Sequence, residues 1–97
     1  MSVNMEISTR NMELTEKMSD YVTKKASKLD RFLNDIDDIR VDLAYIKSAR
    51  SASDRQVAQI TIRGKGYILR GEERAVDIFT AIDAVMEKIQ RHKKDNQ

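Results

Sequence analysis

Cysteine, proline and tryptophan are absent from this chain, glycine occurs three times, and three tyrosines and two phenylalanines are its whole aromatic content. Without cysteine there is no disulfide framework, no thiolate nucleophile and no cysteine-ligated zinc cluster. Without proline, nothing breaks a helix or removes a ladder hydrogen bond from a central strand. No apolar run is long enough to cross a bilayer, and the start, M-S-V-N-M-E-I-S, lacks the basic lead and apolar stretch of a secretion signal. These absences lead us to expect a folded, cytoplasmic chain that does not enter a membrane.

What is present fits one small domain. A length of 97 residues leaves no room for a second core, so a single domain over residues 1–97 is expected. Charged residues make up 35% and hydrophobic residues 40%, and the hydrophobic ones recur periodically, which separates the chain from disordered sequences. The net charge is only +2, but its signs are segregated. Residues 34–46 set Asp35, Asp37, Asp38 and Asp42 against Arg40 alone. Residues 47–74 reverse this, with Lys47, Arg50, Arg55, Arg63, Lys65, Arg70 and Arg74 against Asp54, Glu72 and Glu73. Such segregation suits a polarised surface that meets an acidic partner; ordinary solvated charge is the alternative.

Val3, Met5 and Ile7 alternate as in a half-buried strand. Thr15 is a candidate N-cap, with Glu16 in the first turn where a negative charge suits the helix dipole. Met18, Tyr21, Val22, Ala26, Leu29, Phe32 and Leu33 then recur at helical spacing. After Asn34, alternation returns with Ile39, Val41, Leu43 and Tyr45. Ala58, Ile60 and Ile62 mark a third strand, and Gly64 and Gly66 suggest a hairpin into Y-I-L-R, residues 67–70. A last helix carries Ile78, Phe79, Ile82, Val85, Met86 and Ile89 on its apolar face.

The order is β-α-β-β-β-α, an α+β fold. Packing both helices side by side on one face of a four-stranded sheet buries every apolar stripe at once. The other face would be polar, with Arg40, Asp42, Gln59, Thr61 and Arg63. On the first helix, Lys17, Lys24, Lys28 and Arg31 fall in a narrow sector beside the apolar face. On the last, Lys88, Arg91 and Lys94 advance toward the C-terminus. The two exposed ridges together would form one basic surface suited to a phosphate backbone, although helix-dipole effects and ordinary solvation also account for such charges.

Catalysis finds little support. Asp77 and Asp83 lie about 120° apart around a helix and do not converge on one substrate. Asp77 fits an N-cap, and Asp83 fits a flank position paired with a lysine or a backbone group. His92 is the single histidine, too little for a metal site or a catalytic triad, and G-K-G lacks the spacing of a phosphate-binding loop. No metal, cofactor or small-molecule substrate is expected.

Two segments carry a resemblance. E-L-T-E-K-M-S-D-Y-V-T-K-K-A-S-K-L-D-R-F-L and D-I-F-T-A-I-D-A-V-M-E-K-I-Q-R resemble the ribosome hibernation-promoting factors, also described as ribosome-associated inhibitors, ribosomal subunit interface proteins or modulators of sigma-54. The first-helix pattern is met by Tyr21, Val22, Lys25, Lys28 and Leu29, the second by Asp77, Phe79, Ala81, Ile82, Asp83, Lys88 and Arg91. Phe79 stands where the family often has tyrosine. The resemblance implies a double-stranded-RNA-binding-like domain docking in the messenger and transfer RNA channel of the small ribosomal subunit, inhibiting translation and preserving idle bacterial ribosomes in stress or stationary phase.

Ribosomal RNA contacts are implied for Lys25, Lys28, Lys47, Lys88 and Arg91, and Lys24, Arg31 and Lys94 join them from the helical stripes. Longer family members continue into a C-terminal dimerising domain; this chain ends at Gln97, so a monomer without that domain is expected. Two other readings stay open: a general double-stranded-RNA binder, and a protein-interaction module acting on a sigma factor through residues 35–42 or the sheet face.

Overall fold

The computed structural model describes residues 4–32, 36–51 and 54–95, with side chains over 4–29, 36–51 and 54–91. Val3, Leu33, Asp35 and the side chains of Phe32, Arg31, His92 and Lys94 therefore lie outside the described residues. The elements are β1 (Asn4–Arg10), α1 (Glu16–Phe32), β2 (Ile36–Tyr45), β3 (Gln56–Gly64), β4 (Tyr67–Ala75) and α2 (Ile78–Asp95). They form one four-stranded sheet in the order β1-β2-β3-β4. Because α1 carries the chain back along the sheet, β1 and β2 pair in parallel, while the two later connections give antiparallel pairs.

Both helices begin at their expected caps. The Thr15 hydroxyl accepts from the Met18 N–H at 3.1 Å, and an Asp77 carboxylate oxygen accepts from the Thr80 N–H at 3.0 Å. The other Asp77 oxygen takes the Thr80 hydroxyl at 2.7 Å, and these bonds hold the carboxyl below the usual carboxylate range. Asp77 is therefore a cap, as its spacing suggested.

The core fills the space between helices and sheet. Val22 and Leu29 of α1, Val41 of β2, Ile60 and Ile62 of β3, and Ile82, Val85 and Ile89 of α2 are completely enclosed. Arg40, Asp42, Gln59, Thr61 and Arg63 point to the open face, as the alternation predicts.

The strands depart from the sequence reading in three places. A register shift between Ile36 and Asp38 lets Ile36 and Ile39, three residues apart, both turn inward, so β2 starts earlier than strict alternation indicates. Of the two hairpin glycines, Gly66 takes positive φ, at 80°, and Gly64 does not; the Tyr67 ring covers the space a side chain at Gly64 would need. Finally, β4 runs on from Arg70 to Ala75. Its inward positions include Gly71, where an added Cβ would stand 3.3 Å from Val85 and Ile89. The missing side chain is what lets α2 lie close against this edge strand.

Candidate nucleic-acid interface

Strand directions fix the helix directions. β4 is parallel to β2, and α1 and α2 each run back along the strand before them, so the helices are parallel and start at the same end. Their seam is built from two pairs at i, i+4 spacing: Tyr21 and Lys25 on α1, Phe79 and Asp83 on α2. The Tyr21 and Phe79 rings meet edge-on with centroids 5.1 Å apart at 87°. The Tyr21 hydroxyl donates to one Asp83 oxygen at 2.6 Å, and the Lys25 ammonium sits 3.0 Å from the other. Lys25 also lies 5.4 Å from the Tyr21 ring centroid.

One carboxylate thus clasps both α1 partners, with consequences for all three titrations. The hydrogen bond from Tyr21, with the Lys25 ammonium, holds Asp83 below the usual carboxylate range against the opposing effect of burial. The bond to Asp83 raises both Tyr21 and Lys25 above their ordinary values.

This geometry revises the expected basic surface. Lys25 is half-buried and spent on Asp83, so its charge is already matched within the fold. Lys24 and Lys28 are exposed and form no ion pair with any described residue, and Lys17 on the same sector rests 5.9 Å from the Phe79 ring centroid. Backbone position puts Arg31 next in this row.

Lys88 lies elsewhere. Its ammonium is 3.4 Å from the Glu73 carboxylate and 3.5 Å from the Glu72 carbonyl, on the β4 flank of α2, opposite the flank that carries Asp83. Between those flanks Glu87 is exposed, while Arg91 is exposed one turn further on. Lys47 is exposed in the turn after β2, at the end where both helices start. The two ridges are thus not one continuous basic face: α1 presents a row, and α2 adds Arg91 toward the far end.

Neither reasoning from composition nor helical phase foresaw the Tyr21–Asp83–Lys25 clasp. Its signal was present in the matching i, i+4 pairs on the two helix flanks, but only the parallel arrangement brings those pairs together. Asp77 and Asp83 have separate partners, and among the described residues no group of histidines and carboxylates could hold a metal.

A mixed four-stranded sheet with two parallel helices on one face, the first presenting a lysine row, defines a class of small α+β domains. Residues 5–95 match the family described as sigma 54 modulation protein / S30EA ribosomal protein, and the chain belongs to that family. A ribosome hibernation promotion factor of Deinococcus radiodurans is 36% identical over 89% of this chain and 44% of its own. One from Staphylococcus aureus is 29% identical over 92% of this chain and 45% of its own. The chain therefore spans about half the length of these curated relatives.

Among solved structures, the N-terminal domain of Thermus thermophilus Protein Y superposes with a TM-score of 0.82 at 27% identity, covering 98% of this chain and 100% of that one. A ribosomal subunit interface protein from Coxiella burnetii gives 0.80 at 12% identity, over 97% of each chain, and supports the fold alone. No helix among the described residues is long and apolar enough to cross a membrane.

Proposed function

We propose that this domain is a non-enzymatic ribosome hibernation factor of the cytoplasm that docks on small-subunit RNA through the lysine row of α1. The observation that carries the reading is the exposed pair Lys24 and Lys28 on one sector of a helix, with no ion pair to either among the described residues, in a chain whose family includes named hibernation factors. Lysine is a compact point charge suited to phosphate oxygens, and each phosphate it neutralises releases condensed counterions. Lys17 and Arg31 extend the row, Arg91 and Lys94 continue it at the helix C-termini, and Lys47 reaches the opposite end. Lys25 and Lys88 act in this reading by shaping the surface, with their intramolecular carboxylate partners displaced only if RNA approaches closely.

The mechanism is occlusion: a rigid domain seated in the messenger and transfer RNA channel excludes both and leaves the subunit idle, with no covalent step. Shape and phosphate contacts, not base edges, would supply recognition, since structured RNA offers its backbone and 2′-hydroxyls more readily than its bases.

Co-sedimentation with purified small and large subunits tests this. Pelleting with the small subunit, resistant to excess unrelated RNA duplex and lost when messenger and initiator transfer RNA are bound first, is the expected result. Equal competition by any RNA duplex would instead make the domain a general double-stranded-RNA binder.

A further inference from the structure

The helices leave one face of the sheet uncovered, and its chemistry differs from that of α1. Its cations are all arginines, Arg10, Arg40, Arg63, Arg70 and Arg74, whereas α1 carries four lysines and one arginine, Arg31. Interleaved with them are Glu6, Asp38, Asp42 and Glu72. Some of these charges are matched internally. Asp38 receives two hydrogen bonds from Arg63, at 2.8 and 3.0 Å, and Glu72 pairs with Arg74 at 3.3 Å. Asp42 accepts from the Ser8 hydroxyl and lies 3.5 Å from Arg40 Nε.

Three guanidinium groups remain underused among the described residues: Arg10 and Arg70 have no ion pair, and Arg40 has only that long contact. The register sets Arg40, Thr61 and Arg70 side by side on β2, β3 and β4, so the two arginines flank Thr61 about 10 Å apart. Ile68 precedes Arg70 by two residues on the same face and is 59% exposed. These four residues border a depression of about 540 Å³.

A nucleic acid is a poor occupant for this face. No outward position of the described strands carries an aromatic ring on which a base could stack. A polypeptide fits better, because protein interfaces favour arginine over lysine and centre on exposed apolar side chains with polar surroundings.

We propose that the open sheet face around Arg40, Thr61, Ile68 and Arg70 is a docking surface for an acidic polypeptide segment in extended conformation. Its carboxylates meet the two arginines, and an apolar side chain covers Ile68. The Ile68 to Arg70 spacing equals the two-residue repeat of an extended chain, about 7 Å, so the segment would carry an acidic and an apolar residue two positions apart, with the residue between them turned away. This surface is independent of the RNA reading and faces away from it, so one molecule could engage RNA and protein on opposite sides.

The test is a nitrogen-15 NMR titration with three probes: an octapeptide made of two Glu-Ser-Val-Ser repeats, octaglutamate, and octauridylate. The Glu-Ser-Val-Ser peptide should shift amides in 38–42, 59–63 and 68–72 and leave α1 unmoved. Binding should weaken about tenfold or more in Arg40→Ser/Arg70→Ser, as expected for losing charge-assisted hydrogen bonds, and Ile68→Ser should erase the preference over octaglutamate. All three positions are at the surface, so the variants keep the native spectrum as an internal control. Shifts confined to α1, undiminished binding in the double variant, no shifts at millimolar peptide, or octauridylate binding this face equally well would each overturn the proposal.

Discussion

At the scale of single residues, Asp83 joins the two helices. It ties α2 to α1 through Tyr21 and Lys25, so Asp83→Asn keeps an acceptor for the tyrosine but removes the ion pair. The side chains of the pair are 27% and 45% exposed, which limits the expected loss to about 1 kcal/mol or less. Asp83 is held below its unfolded pKa, so its contribution is present above about pH 4 and fades as pH falls through the lower folded value. Lys25 is raised, so its contribution persists below about pH 10 and fades as pH rises through the folded value. Urea unfolding across pH should therefore show a plateau in the gap between wild type and Asp83→Asn, closing at both extremes. A gap independent of pH would mean the ion pair is not its source. The pairing of Asp83 with a lysine was legible from its place on the flank of the apolar stripe. Its particular partner was not, because helical phase says which side a residue faces but not which neighbour stands there.

At the scale of elements, sequence periodicity located all six elements and both caps. It failed where a neighbour overrode the local pattern. Strict alternation cannot accommodate a bulge, so Ile36 escaped notice. β4 was truncated because its inward positions beyond Leu69 are Gly71, Glu73 and Ala75, which carry no large apolar signal, yet the bare Gly71 is what α2 requires. Filling that space should be costly: Gly71→Val should destabilise the domain by about 1–3 kcal/mol as α2 is forced outward, measured by denaturant unfolding. Truncating the enclosed Ile82→Ala from the other side should cost about 2–5 kcal/mol. A Gly71→Val variant as stable as wild type would show that α2 does not depend on this close approach.

At the scale of the whole molecule, the parallel helices give the domain a direction. Its extents are 38 × 28 × 17 Å, and Lys47 stands at the end where the helices begin, with Arg91 about 20 Å along α2 from that end. An extended ligand can reach both; a small molecule cannot. Lys47→Glu and Arg91→Glu should each weaken small-subunit binding, and because they share no partners their effects on binding free energy should add within about 0.5 kcal/mol. The candidate site was legible in part. The α1 row was visible from helical phase alone, whereas the division of the α2 cations depended on Glu73 of a strand whose length was underestimated.

The central claim is that Lys24, Lys28 and Arg91 bind phosphate, and the slope of binding against salt tests it most directly. The variant Lys24→Glu/Lys28→Glu/Arg91→Glu keeps all three side chains of the Asp83 clasp and the core, and of its three positions only Lys28 acts on the Asp83 carboxylate. Its affinity for purified small subunits should fall, and the slope of log K against log salt should shrink by about one unit for each phosphate that is no longer neutralised. An unchanged affinity and an unchanged slope in the folded variant would contradict the account.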